Sequence, residues 1–224
     1  DLAHAVNGTA PGILAEEAER LGVPFVHFST DYVFDGKATR PYREDDPVGP
    51  LGAYGRSKLA GEEAVAAVGG AWLIFRTSWV YSMRGANFLL TMRRLARERD
   101  ELRVVADQRG APTWARSLAE ATAAVLAHCH APGETGALVE KSGLYHMTAA
   151  GETSWHGFAE AIVDQMRDAG EPVAAKRVTP VATADYPTPA ARPAWSVLDN
   201  TKLAYTFGIF LPDWRDQLAL CLGA

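Results

Sequence analysis

Two side chains four positions apart, Tyr54 and Lys58, have the types and spacing to do chemistry together. On a helix, residues four apart lie on the same face, one turn from each other. A phenol has an ordinary pKa near ~10, and a nearby ammonium stabilises the phenolate and lowers that pKa. The pair therefore predicts a tyrosine that can donate or accept a proton at neutral pH.

Hydroxyl and carboxyl side chains stand just before this pair in the chain. The apolar run VPFVHF, residues 23–28, is typical of a parallel strand buried on both faces. Ser29, Thr30 and Asp31 follow it, at the strand end where open parallel sheets bind ligands. A helical Tyr-Lys pair alone is common by chance. With a strand-end hydroxyl that can hydrogen-bond a carbonyl oxygen, it predicts protonation of that oxygen while hydride reaches the carbon.

Composition bounds the class of protein. The chain has 224 residues, 48% hydrophobic and 22% charged, enough for one large domain or a domain with a small lobe. A net charge of -5 gives no electrostatic reason to expect nucleic acid or an anionic membrane as a partner. The sequence contains no apolar run long enough to span a bilayer, and its two cysteines are too few for a disulfide framework. We expect a cytoplasmic protein.

Apolar runs alternate with helical patterns along the rest of the chain, which predicts an α/β fold built on a doubly wound parallel sheet. A helix is expected from residue 53 to about 68, and the run AWLIFRTS predicts the next parallel strand. Ser154 and Asp213 are predicted N-caps of later helices. Further predicted helices cover 86–99 and 115–130, and further predicted strands cover 102–108, 143–148 and 176–183.

The run His128-Cys129-His130 contains residue types that bind metals. Adjacent and i,i+2 positions on a helix do not face each other, and no second ligand pair stands at usable spacing. We therefore predict no metal held by these residues.

Longer stretches resemble one enzyme family. The segments STDYVFDG, PYREDDPVGPLGAYGRSKLAGE, RTSWVYS, NFLLTMRRLA and RPAWSVLDNTKL are similar to the dTDP-4-dehydrorhamnose reductases, within the extended short-chain dehydrogenases/reductases. The resemblance implies reduction of a nucleotide-linked 4-keto-6-deoxy sugar with NADPH or NADH. It implies catalysis by Thr30, Tyr54 and Lys58. It also implies cofactor contacts from Ser29, Tyr54 and Lys58, and substrate contacts from Thr30, Asp31, Trp79 and Arg192.

The resemblance also implies a domain organisation. Residues 1–142 would be the remaining part of a dinucleotide-binding Rossmann domain, with 84–110 contributing to the cleft. Residues 143–195 would be mainly a smaller mixed substrate-binding lobe, and 196–224 a C-terminal segment. The alternatives are another 4-ketoreductase of deoxysugar pathways, such as a dihydrostreptose or antibiotic sugar pathway, and a non-catalytic regulatory subunit. A homodimer and a structural Mg²⁺ at a dimer interface are left open.

A Gly-rich turn opening a helix after a first strand, which binds the dinucleotide pyrophosphate in such folds, is absent from this sequence. The resembled family carries it before the position of Asp1. We therefore expect that this chain lacks its cofactor-binding half. By itself it should neither bind a nicotinamide dinucleotide tightly nor reduce substrate, and the VPFVHF strand should lack a neighbour on one side.

Overall fold

A computed structural model describes residues 2–129, 137–186 and 192–223. The predicted strands are present, with bounds shifted by up to three residues. The strands are β1 Phe25–Thr30, β2 Trp72–Thr77, β3 Val80–Tyr81, β4 Glu101–Val105, β5 Arg109–Gly110, β6 Thr113–Trp114, β7 Gly143–His146, β8 Thr153–Ser154 and β9 Arg177–Val181.

Helices surround these strands, and none of those in the described ranges is long and apolar enough to cross a membrane. Ser154 and Asp213 are N-caps as predicted, accepting hydrogen bonds from the backbone of Gly157 and Arg215. The helices are α1 Leu2–His4, α2 Ala10–Arg20, α3 Ala53–Val68, α4 Phe88–Glu98, α5 Ala115–Cys129, α6 Ala137–Glu140, α7 Trp155–Asp168, α8 Thr201–Phe207 and α9 Trp214–Leu222, with a π-helical turn Ala5–Thr9 and 3-10 turns Asp31–Val33 and Thr183–Asp185.

The central sheet has three parallel strands in the order β1-β2-β7. Successive side chains of β2 point to opposite faces. Ile74 packs with α2 and α3, whereas Leu73 and Phe75 pack with α5 and α8 on the other face. Helices on both faces of a parallel sheet confirm the predicted doubly wound α/β architecture.

A second, smaller sheet pairs β4 with β9 in parallel. Helices α4 and α7 pack on it through a buried apolar cluster that includes Leu89, Leu102, Phe158 and Ile162. The predicted start of the lobe at residue 143 is wrong, because β7 pairs with β2 in the central sheet. Alternating residues indicate a strand here, and only the tertiary pairing decides which sheet it joins. The other domain boundaries stay predictions.

Strand β1 is less buried than its sequence predicts. In the described part of the chain it pairs with β2 alone, so it forms an edge of the central sheet. Phe28 is 41% exposed, and Val26 and His27 are only half-buried. The expectation of a strand buried on both faces is therefore wrong for the middle of β1. Its end, at Ser29 and Thr30, is buried.

Candidate active site

Two glycines bring helix α3 close to its neighbours. A Cβ at Gly55 would overlap the carbonyl oxygen of Tyr32, in the 3-10 turn that follows β1. A Cβ at Gly61 would overlap the carbonyl oxygen of Asn7. Only glycine permits such an approach. The tight packing places the first turn of α3, with Tyr54, against the end of β1.

A buried ion pair fixes the same helix to the sheet. Arg76 of β2 donates two hydrogen bonds to Glu62 of α3, at 2.9 and 2.6 Å, and both side chains are almost fully buried. The guanidinium also lies 4.9 Å from the centroid of the Phe34 ring. Bidentate geometry restrains both partners. Glu62 is one turn beyond Lys58, so the pair holds the catalytic face of α3.

A cavity of about 290 Å³ opens at the carboxyl ends of β1 and β2. Five of the predicted site residues line it together, namely Ser29, Thr30, Asp31, Tyr54 and Trp79. Lys58 and Arg192 do not line it. Five further lining residues were not predicted as site residues, namely Tyr32, Thr77, Ser78, Val80 and Trp155.

Thr30 is the centre of the polar contacts in this cavity. Its hydroxyl donates to Asp31 Oδ1 at 2.9 Å and accepts from the backbone N–H of Tyr32 at 3.2 Å. It also lies within hydrogen-bond reach of the Tyr54 phenol and lowers the pKa of that group. The arrangement puts a hydroxyl and a phenol side by side, facing one cavity.

Three buried polar atoms of the cavity wall have no hydrogen-bond partner among the described residues. They are Ser29 Oγ, Asp31 Oδ2 and Thr77 Oγ1. Buried polar atoms are almost always hydrogen-bonded, and leaving one unpaired costs about 1–3 kcal/mol. Three such atoms around one cavity are suited to a polar ligand. This observation fits a sugar and a nicotinamide ribose, both of which present several hydroxyl groups.

The spacing of Tyr54 and Lys58 predicts that the ammonium lies beside the phenol, but the Lys58 ammonium binds other groups instead. Its ammonium donates to the carbonyl oxygen of Phe28 at 2.6 Å and lies 3.1 Å from His27 Nε2. Burial lowers the pKa of His27 to about 4, with Lys58 adding to the effect, so the imidazole is neutral and can accept. Both acceptors belong to β1, which is the edge strand of the central sheet in the described part of the chain.

The pKa of Tyr54 is raised, and the predicted lowering of that pKa by Lys58 is wrong in this structure. Burial is the main cause, and the charge of Asp31 adds to it, while Thr30 acts in the opposite direction. Asp31 itself is buried, which raises the pKa of its carboxyl to about 7, although the hydrogen bond from Thr30 and the nearby Ser196 hydroxyl act to lower it. A phenol and a carboxyl group, both with a raised pKa, therefore line the same cavity.

Trp79 and Arg192 line different cavities. The Trp79 indole is stacked on Trp155, with ring centroids 3.6 Å apart. Arg192 is exposed and lines a separate cavity of about 110 Å³ with Arg103, Gln108 and Tyr186. Trp155 borders both cavities. The structure thus places Arg192 in a neighbouring cavity, although its charge reaches Tyr32. Burial raises the pKa of the Tyr32 phenol and Asp31 adds to the rise, while Arg192 opposes it.

The five cavity residues that were not predicted differ in how clearly the sequence identifies them as site residues. Thr77 and Ser78 end a strand in polar residues, as Ser29 and Thr30 do, and that pattern could have identified them. Tyr32 directly follows the strand-end cluster. Trp155 is the first residue of α7 and is far in sequence from every other cavity residue. No local sequence pattern identifies Trp155 as a site residue.

The described residues contain no group of three or more His, Cys, Asp or Glu side chains that could hold a metal ion. The His128 imidazole lies 3.1 Å from the Lys141 ammonium. His130 falls outside the described residues, so the prediction for that run stays untested.

Comparison with known proteins identifies the family. Residues 1–224 match the family model described as RmlD substrate binding domain. A dTDP-4-dehydrorhamnose reductase from Burkholderia thailandensis is 56% identical over 222 residues, covering 98% of this chain and 74% of that protein.

Solved structures agree. A dTDP-4-dehydrorhamnose reductase from Clostridium acetobutylicum has a TM-score of 0.88 at 38% identity, covering 100% of this chain and 73% of that one. The Bacillus anthracis enzyme, in complex with NADP, has a TM-score of 0.84 at 33% identity, covering 99% and 73%. With its Tyr54 and Thr30 converging on one cavity and these matches along its whole length, the chain belongs to the dTDP-4-dehydrorhamnose reductase family.

Proposed function

We propose that this protein reduces the 4-keto group of dTDP-4-dehydrorhamnose to give dTDP-L-rhamnose, with NADPH or NADH as the reductant. The observation that carries the proposal is the convergence of Thr30, Tyr54 and Trp79 on one cavity at the strand ends. An aromatic face for a sugar ring and two hydroxyl groups for a carbonyl oxygen are the parts that this reaction needs.

A bound nicotinamide would supply the hydride that reaches the carbonyl carbon. Tyr54 then donates its phenolic proton to the carbonyl oxygen, so the C=O bond becomes a C–OH bond with one hydride and one proton added. The resulting phenolate recovers its proton from solvent. The Thr30 hydroxyl, within reach of the phenol, hydrogen-bonds the same carbonyl oxygen and orients it.

Lys58 and Ser29 are the proposed cofactor-binding residues, together with Tyr54. Lys58 is half-buried, and its ammonium hydrogen-bonds Phe28 and His27 at the end of β1, beside the Tyr54 helix turn. From that position we propose that it binds the nicotinamide ribose. Ser29 Oγ is buried, has no hydrogen-bond partner among the described residues, and is suited to a further polar contact. A ribose hydroxyl bound between Lys58 and Tyr54 would couple the ammonium to the phenol.

The nucleotide part of the substrate is proposed to occupy the cavity of Arg192 and Arg103, which carries two cationic side chains suited to a diphosphate. Asp31 and Trp79 would contact the sugar in the neighbouring cavity. The lobe formed by α4, α7, β4 and β9 supplies Phe88, Val104 and Trp155 to the Arg192 cavity. This arrangement would place the substrate in the predicted cleft between the sheet and the lobe.

We also propose three further properties of the protein, namely its location, its assembly and the classes of partner that it does not bind. A cytoplasmic location is proposed from the composition, because two cysteines in 224 residues are too few for a disulfide framework. A homodimer, with a structural Mg²⁺ at its interface, remains a proposal from the resemblance. Nucleic acid and membranes are not proposed as partners, in line with the net charge of -5.

The test is turnover of dTDP-4-dehydrorhamnose by the full-length protein, followed by the loss of reduced nicotinamide absorbance with NADPH and with NADH. We expect dTDP-L-rhamnose as the product, identified by chromatography against a standard. Formation of a different deoxysugar, or turnover only with another 4-keto sugar nucleotide, would replace the proposed substrate. No turnover with any of these substrates would favour the non-catalytic regulatory subunit.

A further inference from the structure

Trp79 and Trp155 form a parallel stack at the wall of the catalytic cavity. Their ring centroids are 3.6 Å apart, and the rings are inclined by only 5°. Phe88 of α4 packs on Trp155 as well, with centroids 4.6 Å apart and the rings inclined by 47°. Trp155 is distant in sequence from both Trp79 and Phe88, so the stack forms only in the folded protein.

The backbone at Trp79 is held in an unusual conformation. Its φ of 48° is the only positive φ of a non-glycine residue in the described ranges. A bulky residue in the left-handed region is strained and persists only where surrounding structure imposes it. The Trp79 carbonyl accepts a hydrogen bond from Thr113 at 3.3 Å, and β3 begins at the next residue.

Gly110 leaves the space that the Trp79 indole occupies. A Cβ at Gly110 would lie 2.5 Å from Trp79 Cε2 and 2.7 Å from its Nε1. Gly110 does not have a positive φ, so its lack of a side chain serves the close approach and not the backbone. The orientation of the Trp79 indole is therefore restrained by three features. They are its own strained backbone, the space left at Gly110 and the stacked Trp155 ring.

Trp155 also stands between two compartments. It lines the catalytic cavity of about 290 Å³ and the Arg192 cavity of about 110 Å³. Trp79 lines only the first of the two. A change at Trp155 can therefore alter the sugar compartment through Trp79 without removing any side chain that carries charge or hydroxyl groups.

We propose that Trp155 is a positioning residue that, with Gly110, fixes the Trp79 indole as the platform for the sugar ring. The proposal rests on the proposed function for the identity of that sugar. Without the Trp155 ring, the Trp79 indole would lose its stacking contact and would no longer be held in one orientation at the cavity wall. An aromatic pair contributes about 0.5–1.5 kcal/mol, which converts to a three- to tenfold change in affinity for the sugar.

The stack itself has a spectroscopic signature that is independent of any reaction. Two indoles in parallel contact couple their electronic transitions, so we expect a paired positive and negative band in circular dichroism. Trp79→Phe and Trp155→Phe should abolish the same bands, because each removes one of the two indoles. Trp72→Phe is the matched control, since Trp72 lies at the other end of β2 from the cavity. Persistence of the bands in either of the first two variants would overturn the proposal.

The binding role is tested by calorimetry with two probes, dTDP and dTDP-L-rhamnose, on the full-length protein. Trp155→Leu and Gly110→Ala should weaken binding of dTDP-L-rhamnose about three- to tenfold and change dTDP binding less than twofold. Trp155→Phe keeps an aromatic ring and should restore most of the sugar affinity. Equal weakening of both probes, or no weakening in Trp155→Leu, would overturn the proposal.

The proposed reaction and the proposed sugar platform can fail independently, and the measurements distinguish the two outcomes. If wild-type protein binds both probes with equal affinity, the sugar platform is refuted, whatever the reaction. If wild-type protein prefers dTDP-L-rhamnose but does not reduce dTDP-4-dehydrorhamnose, the proposed reaction fails and the platform stands. Thermal unfolding of each variant, followed by far-ultraviolet circular dichroism, checks that the fold is retained.

Discussion

The Lys58 ammonium lies 3.1 Å from His27 Nε2 and donates a short hydrogen bond of 2.6 Å to the carbonyl oxygen of Phe28. Both partners belong to β1, and the ammonium does not act on the pKa of Tyr54. Tyr54 and Lys58 therefore share helix α3, but the ammonium does not contribute to the pKa shift of the phenol in this structure. In the proposed complex, a ribose hydroxyl bound between the two groups would couple them.

The first prediction concerns the titration of Tyr54 without cofactor. Burial raises the pKa of its phenol above the ordinary value of 10.0, so phenolate should form only at higher pH. Lys58→Met should leave this titration nearly unchanged. The measurement is the alkaline difference spectrum between wild-type protein and Tyr54→Phe. Phenolate that forms below pH 10 in the ligand-free protein and disappears in Lys58→Met would show that Lys58 tunes Tyr54 directly.

Tyr54→Phe removes one hydroxyl from the cavity and should leave the fold intact. Because the phenol is the proposed general acid, kcat should fall by about 10²- to 10⁴-fold. Steady-state kinetics on the full-length protein measures this. Tyr205→Phe is the control, since Tyr205 is 92% exposed, and it should keep wild-type kcat. A Tyr54→Phe enzyme with more than about half of the wild-type kcat would contradict the assigned role.

Gly55→Ala tests the close approach of α3 to the end of β1. The added methyl group would overlap the Tyr32 carbonyl oxygen, so α3 must move, and Tyr54 with it. We expect a loss of stability of about 1–3 kcal/mol, together with a lower kcat, although both catalytic side chains remain. Gly52→Ala is the control, because a Cβ there meets nothing within 4 Å and its φ is -126°. Equal stability and kcat for the two variants would refute the packing argument.

Asp31→Asn tests the buried carboxyl. Its pKa is raised from 3.8 to about 7, so the folded state binds a proton more tightly than the unfolded state. The wild-type protein therefore loses stability as pH rises from about 4 to about 7, whereas the asparagine variant does not. The difference in unfolding free energy between the two proteins should move in favour of Asp31→Asn across this window and level off above pH 7. Urea denaturation at several pH values measures it, and a constant difference would contradict the prediction.

Glu62→Gln tests the buried ion pair. Removal of one charge leaves the Arg76 guanidinium buried without its counter-charge, which typically costs about 3–5 kcal/mol. Glu120→Gln breaks the exposed pair with Arg116, whose side chains are 62% and 69% exposed, and should cost less than about 0.5 kcal/mol. Urea denaturation of both variants gives the comparison. Similar losses in the two would mean that the buried pair does not anchor α3.

Local patterns in the sequence determined the parts of this protein that depend on near neighbours. The spacing of Tyr54 and Lys58 places both on α3, and the polar residues after VPFVHF place Ser29, Thr30 and Asp31 at a strand end. Helix caps follow the same logic, because a capping side chain bonds a backbone N–H two or three residues away. These relationships are encoded within a few positions, so they can be read before the fold is known.

Tertiary structure decided the relationships between distant segments. It joined β7 to the central sheet, stacked Trp155 on Trp79, and turned the Lys58 ammonium to the end of β1. It also placed Arg192 in a second cavity, separate from the catalytic one. Each outcome depends on which surfaces pack together and which edges stay unpaired. That choice is made by the free energy of the whole fold, and a local pattern does not contain it.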